Sequence, residues 1–192
     1  MTKALFIVDV QNDFTEGGAL GVEGGDAVAA AISRHLAAHA AEYAVIVASR
    51  DWHDGHNDNG GHFHPEPDFV DSWPVHCVSG SEGAEYDPAF ETDAVTHHVK
   101  KGQGRPAYSL FEGVTDDGDA VPVLLRDHGV TEVDIVGIAT DYCVRASALD
   151  AIEHGRHVRI LTDLIAGVAA ESSAQALAEM AHAGAELAES GA

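Results

Sequence analysis

The chain has 192 residues, 45% hydrophobic and 22% charged, which suits one globular domain over 1–192 with a substantial core. Thirty-two acidic residues against 10 basic ones give a formal charge of −22, so nucleic acid and anionic membranes are poor partners. No apolar run approaches the roughly 20 residues of a membrane span, and Met1 to Val8 meets Asp9 too soon to be a signal peptide. A cytoplasmic protein is expected, with Cys77 and Cys143 as thiols and no disulfide framework. Oligomeric state stays open, because the acidity disfavours self-association only at low salt.

Lys3 to Val10 is apolar and β-branched and reads as a buried strand ending near Asp9. Gln11 to Gly25 is glycine-rich loop. Asp26 is placed to cap a helix reaching about Tyr43, with Val28, Ile32 and Leu36 on one face. Ala44 to Ser49 is a second buried strand. Asp51 to Gly83 is long, rich in His, Gly, Pro and Asp, and lacks periodicity; such loops are usually functional or disordered. Ala94 to Lys101 reads as a third strand, and Ala120 to His128 as a helix stopped by Gly129. Glu132 to Ile138 is a fourth strand, Asp141 to His154 a helix and His157 to Thr162 a fifth strand. Glu171 to Ala183 is a last helix, and a short sixth strand is expected around Glu186-Leu187. This alternation predicts an α/β fold, a mostly parallel sheet with helices on both faces.

Sites in such sheets lie beyond the carboxyl ends of the strands, which selects Asp9, Asp51, Lys101 and Ala139 to Cys143. Cys143 follows a buried strand at a helix start, where unpaired N–H groups and the helix dipole favour a thiolate and can hold an oxyanion. The bland alternative is a packed, inert thiol. Asp9 can act as a base beside that thiol or merely bond local backbone. A carboxylate raises a neighbouring thiol's pKa, so a cation nearby is needed. Lys100 or Lys101 can supply it, from opposite faces of the third strand; strand order alone does not choose between them.

Thirteen histidines are many for this length. Asp51 and His53 share a face of an extended segment. His62 and His76 can close a site around them, with His56 and His64 as competitors. Three imidazoles and a carboxylate suit one divalent ion such as zinc, iron or manganese. The alternative is a solvated acidic loop. Cys77, beside His76, reads as a structural thiol.

Together these segments resemble the nicotinamidase/pyrazinamidase branch of the isochorismatase-like cysteine hydrolases. The resemblance rests on VDVQNDF from Val8 to Phe14, RDWH from Arg50 to His53, Gly61-His62-Phe63, WPVHCV from Trp73 to Val78, Lys101-Gly102, and GIATDYCV from Gly137 to Val144. It implies the isochorismatase-like fold, with catalytic Asp9, Lys101 and Cys143 and metal ligands Asp51, His53, His62 and His76. It also implies an oxyanion hole from the N–H groups of Ala139 and Cys143, a cis peptide between Ile138 and Ala139, and a substrate pocket lined by Phe14, Trp73 and Tyr108. The implied reaction is hydrolysis of nicotinamide, and of pyrazinamide, to the acid and ammonia through a thioester, in NAD salvage. The stretch from His53 to His62 is a few residues longer than the resemblance leads one to expect, which leaves His56 as a competitor of His62. Two alternatives accompany this reading: a sister amidohydrolase acting on a carbamoyl or ureido substrate, which would lack the metal set, and a catalytically silent domain, which would lack the cysteine.

Overall fold

A computed structural model describes residues 1–191. Its strands are β1 (Lys3–Val8), β2 (Val45–Asp51), β3 (His97–Lys101), β4 (Val114–Thr115), β5 (Glu132–Ile138), β6 (His157–Ala166) and β7 (Glu186–Ala188). They form one sheet in the order β4-β3-β2-β1-β5-β6-β7. Every pairing is parallel except β3 with the short edge strand β4. The helices are α1 (Gly25–His39), α2 (Val121–Asp127), α3 (Arg145–Glu153) and α4 (Ala170–Ala183).

Alternating side chains of β1 feed two cores. Ala4, Phe6 and Val8 pack with Leu124 of α2, Ala148 of α3 and Met180 of α4. Leu5 and Ile7 pack with Val28, Ile32 and Leu36 of α1. β1 is central because both its faces are apolar. The chain runs outward from it to β4, returns through α2, and enters β5 on the other side of β1. Strand order therefore reverses beside β1, and a crevice opens at the carboxyl ends there.

Several boundaries differ from the sequence reading. β1 ends at Val8 because Asp9 adopts a left-handed φ of 47°. Asp26 does not cap α1; the cap position is Gly24, and the Glu16 carboxylate accepts the N–H groups of Gly24 and Asp26, both at 2.7 Å. α1 ends at His39 in a 3-10 turn instead of reaching Tyr43. β2 runs on to Asp51, β3 starts only at His97, and β6 continues to Ala166. β4 has two residues, too few for any periodicity to show. The helix expected from Asp141 begins as a π turn over Thr140–Val144.

Candidate active site

The ends of β1, β2, β3 and β5 deliver four polar side chains to one buried point. Asp9 is fully buried, and its Oδ1 accepts the Ser49 hydroxyl at 2.7 Å. Lys101, only 1% exposed, sets its ammonium 2.8 Å from Asp9 Oδ2, against Asp51 Oδ1, and 3.6 Å from Cys143 Sγ. The Cys143 sulfur and one oxygen each of Asp9 and Asp51 lie within 4.8 Å of one another. The parallel register pairs Asp51 with Lys101 and Arg50 with Lys100. Lys101 therefore faces the site, while Lys100 points away and pairs with Asp116 at 2.9 Å.

Burial and charge oppose each other here. Burial pushes the Asp9 carboxyl up more than the Lys101 ammonium pulls it down. Burial would lower Lys101, but the attraction of Asp51 and Asp9 outweighs it and holds the ammonium well above its ordinary value. Burial also pushes the Cys143 thiol well up, against the opposing pull of Lys101. The site thus sets one ammonium between two acidic side chains and the Cys143 thiol.

Cys143 sits in the π turn between β5 and α3. The peptide between Ile138 and Ala139 is cis, as the resemblance implies. The first long bond of the turn runs from the Val144 N–H to the Ala139 carbonyl at 3.1 Å. The Cys143 N–H precedes that ladder, in the position of an orphan helix-start donor.

Asp51 joins this cluster to a second one. Its Oδ2 faces His53 Nε2 at 3.6 Å and His76 Nε2 at 3.8 Å, too long for hydrogen bonds. His53, His62 and His76 are all buried and bring ligand atoms within 4.8 Å of one another. The other nitrogens of two rings are spoken for: His53 Nδ1 donates to the Gly102 carbonyl and His76 Nδ1 to the Pro74 carbonyl, both at 2.8 Å. That fixes the tautomers and aims Nε2 inward. His53 Nε2 is buried without a hydrogen-bond partner, a costly state that a bound cation relieves. Burial and the neighbouring His53 and His76 lower His62 to about 3, so its ring is neutral, the ligating form. Asp51 stays ionised: burial would raise it, but Lys101 and the facing His53 and His76 rings hold it well below the usual range. Three imidazoles and one carboxylate fit a divalent ion. His56 and His64 are exposed and lie outside the cluster.

Both clusters open into one cavity of about 460 Å³. Phe14, Trp73, Tyr108 and Tyr142 line it, with Asp51, His62, His76, Ala139 and Cys143 at its inner end. Trp73 Nε1 donates to the Tyr108 hydroxyl at 3.0 Å, which locks two of its walls together.

Residues 3–191 match the isochorismatase domain. The chain belongs to the isochorismatase family. It is 51% identical over 185 residues to the nicotinamidase/pyrazinamidase of Mycobacterium tuberculosis, covering 96% of this chain and 97% of that one. Among solved structures it is similar to the pyrazinamidase of Pyrococcus horikoshii in complex with zinc: 39% identity, TM-score 0.83, covering 98% of this chain and 99% of that one. It is also similar to PnC1 from L. infantum in complex with nicotinate: 34% identity, TM-score 0.83, covering 98% and 93%.

The structure also shows supports that sequence reasoning missed. The Gln11 amide grips the Asp51 backbone from both sides, accepting its N–H at 2.8 Å and donating to its carbonyl at 3.0 Å. Asp13 accepts the Cys77 N–H at 2.6 Å and holds that residue at a φ of 44°. Cys77 itself is buried, its thiol pushed well up chiefly by burial, which fits a structural role. Gly102, at a φ of 75°, lies so near His53 that a Cβ would come within 2.5 Å of the ring. Gln11 and Asp13 sit inside the quoted VDVQNDF segment, but nothing local says that their partners lie across the loop.

Proposed function

We propose that this chain hydrolyses nicotinamide, and pyrazinamide as a close analogue, to the carboxylate and ammonia through a thioester on Cys143. One observation carries the reading: the buried Asp9–Lys101–Cys143 cluster and the Asp51–His53–His62–His76 cluster share an aromatic cavity. A carbamoyl or ureido hydrolase has no use for the second cluster, and a silent domain none for the first. The whole chain acts as one domain, in the cytoplasm, in NAD salvage.

Phe14 and Trp73 stack against the planar ring, and Tyr108 braces Trp73. Asp51, His53, His62 and His76 would hold a divalent ion, which would supply Lewis acidity to orient the ring nitrogen. The thiol starts neutral, and Asp9, made more basic by burial, takes its proton as sulfur attacks the amide carbon. The new charge then develops beside the Lys101 ammonium. The N–H groups of Ala139 and Cys143 hold the tetrahedral oxyanion; one such donor contributes roughly 3 kcal/mol elsewhere. Asp9 returns the proton to the departing ammonia. It then takes a proton from the water that attacks the thioester and passes it to the departing Cys143 sulfur, which restores the thiol as the acid is released.

The test is ammonia release from nicotinamide by metal-replete protein, with Cys143→Ala as the control. Turnover in the wild type and none in a folded variant is expected. A folded, metal-replete wild type that releases no ammonia refutes the reaction; substantial turnover by the variant refutes the covalent route.

A further inference from the structure

We infer that the mouth of the cavity is a specificity subsite, formed by Phe69, Val168 and Leu20, for an apolar substituent at the 5-position of a pyridine carboxamide. The inference rests on the function proposed above and extends it to a substrate class.

Phe69 and Val168 both line the cavity, yet each is 54% exposed. Leu20 completes the rim. Apolar groups left in water gain the fold little, and beside a pocket they mark where a ligand's apolar part is received. Phe69 is held in place against its own preference. Its φ of 58° lies in the left-handed region, which a bulky side chain rarely adopts. The preceding Asp68 enforces it: its Oδ1 accepts the N–H groups of Val70, Asp71 and Ser72 at 2.9 to 3.0 Å. The Phe69 carbonyl accepts the Tyr142 hydroxyl at 3.4 Å, and its ring stands edge-on to Trp73 at 6.1 Å. A loop so tied presents the ring at the mouth as a fixed surface.

The chemistry of the substrate selects the ring position. In nicotinamide the carboxamide and the ring nitrogen are meta to each other. With the amide carbon at Cys143 and the nitrogen toward the histidine cluster, the 2-position lies between the two anchors. The 5-position points away from both, toward the part of the cavity that neither cluster occupies. A substituent at the 6-position, flanking the nitrogen, meets the Asp51 and histidine wall instead.

The experiment compares nicotinamide with its 5-methyl, 5-propyl and 6-propyl derivatives. It reads kcat/KM by ammonia release in metal-replete protein, and Kd by calorimetry on the Cys143→Ala variant. Each carbon added at the 5-position is expected to raise kcat/KM and tighten Kd about two- to fourfold. The 6-propyl isomer gains nothing. In Phe69→Ser, and separately in Val168→Ser, most of the 5-propyl advantage over nicotinamide, read within the same variant, disappears. Nicotinamide turned over normally with no gain from 5-alkylation overturns this inference and leaves the function standing. So does an equal gain for both propyl isomers, or an advantage unchanged in both variants. No turnover of nicotinamide or any derivative overturns the function and the subsite together.

Discussion

Replacing Lys101 by methionine isolates the charge at the centre of the site. Methionine matches the length and thickness of the lysine stem, so little packing is lost. What disappears is an ammonium 2.8 Å from Asp9 and in contact with Asp51, carboxylates that are 0% and 3% exposed. Removing one partner of a buried pair leaves an uncompensated charge and costs about 3–5 kcal/mol. For a chain of this length that lowers Tm by about 10 °C. The cost depends on pH with a definite sign. Asp9 already has a raised pKa, chiefly from burial, and losing Lys101 raises it further. A carboxyl raised on folding favours the folded state at acid pH and loses that contribution as pH rises through its folded value. The deficit of Lys101→Met is therefore larger at pH 8 than at pH 5. Adding Asp9→Asn removes one stranded charge and restores at least about 1 kcal/mol, while ammonia release stays at least about a hundredfold down in both variants. Urea unfolding of the wild type, both single variants and the double variant completes the cycle. A loss below about 1 kcal/mol in Lys101→Met, or no recovery in the double variant, refutes the account.

Three further outcomes follow from the geometry. His62→Ala loses the bound metal by elemental analysis, while His56→Ala and His64→Ala keep it, because only His62 is buried in the cluster. Loss of metal from either of the latter two would reassign the ligand. Glu16→Ala removes the acceptor for two N–H groups at the start of α1 and lowers stability by about 1 kcal/mol, with kcat on nicotinamide unchanged; an unaltered urea midpoint would remove Glu16 as the cap. Asp134 is fully buried and is bonded by Arg159 and Tyr43. Burial would raise its carboxyl, but these partners hold it below the ordinary value, so its stabilising effect is present above the unfolded pKa of about 4 and fades as pH falls below it. Asp134→Asn should flatten the stability profile below about pH 4, and an unchanged acid slope would count against it.

What could be read before folding was whatever a short window contains. Glu132 to Ile138, with Val133, Ile135, Val136 and Ile138 as its apolar residues, reads as a strand in the sequence and is one in the sheet, with the same ends. Cys143 stood out because a strand, a sharp turn and a helix start occupy adjacent residues. The choice among histidines came from the resemblance, through Gly61-His62-Phe63, and not from residue chemistry alone. His56, His62 and His64 lie within nine positions in one irregular loop, and no periodicity ranks them. Burial against Phe63 and Tyr108 separates His62 from the others. Ser49 was legible only as a strand residue, since its bond to Asp9 spans 40 positions. Glu16, not Asp26, caps α1 for the same reason: a carboxylate in the preceding loop folds back onto the helix start, and proximity in sequence named the wrong residue.

The pairing of β2 with β3 shows how the fold makes chemistry out of two adjacent lysines. In the observed register Asp51 lies opposite Lys101, and both side chains rise on the site face. Lys100, one residue earlier, lies opposite Arg50 and reaches Asp116 on the other face. A slip of one residue would turn Lys101 to the opposite face of the sheet, away from Cys143. The register is held by more than the ladder. Gln11 grips the Asp51 backbone, and the Trp52 N–H donates to the Lys101 carbonyl at 2.8 Å. The Gly102 carbonyl next accepts His53 Nδ1. The same few residues thus seat Lys101 between two carboxylates and point His53 Nε2 into the histidine cluster. Asp51 divides its oxygens between the two, Oδ1 to the ammonium and Oδ2 to the histidines. The two clusters are therefore one electrostatic unit. Lys100, although adjacent in sequence and of the same charge, cannot restore activity to Lys101→Met, because no rotamer carries it through the sheet.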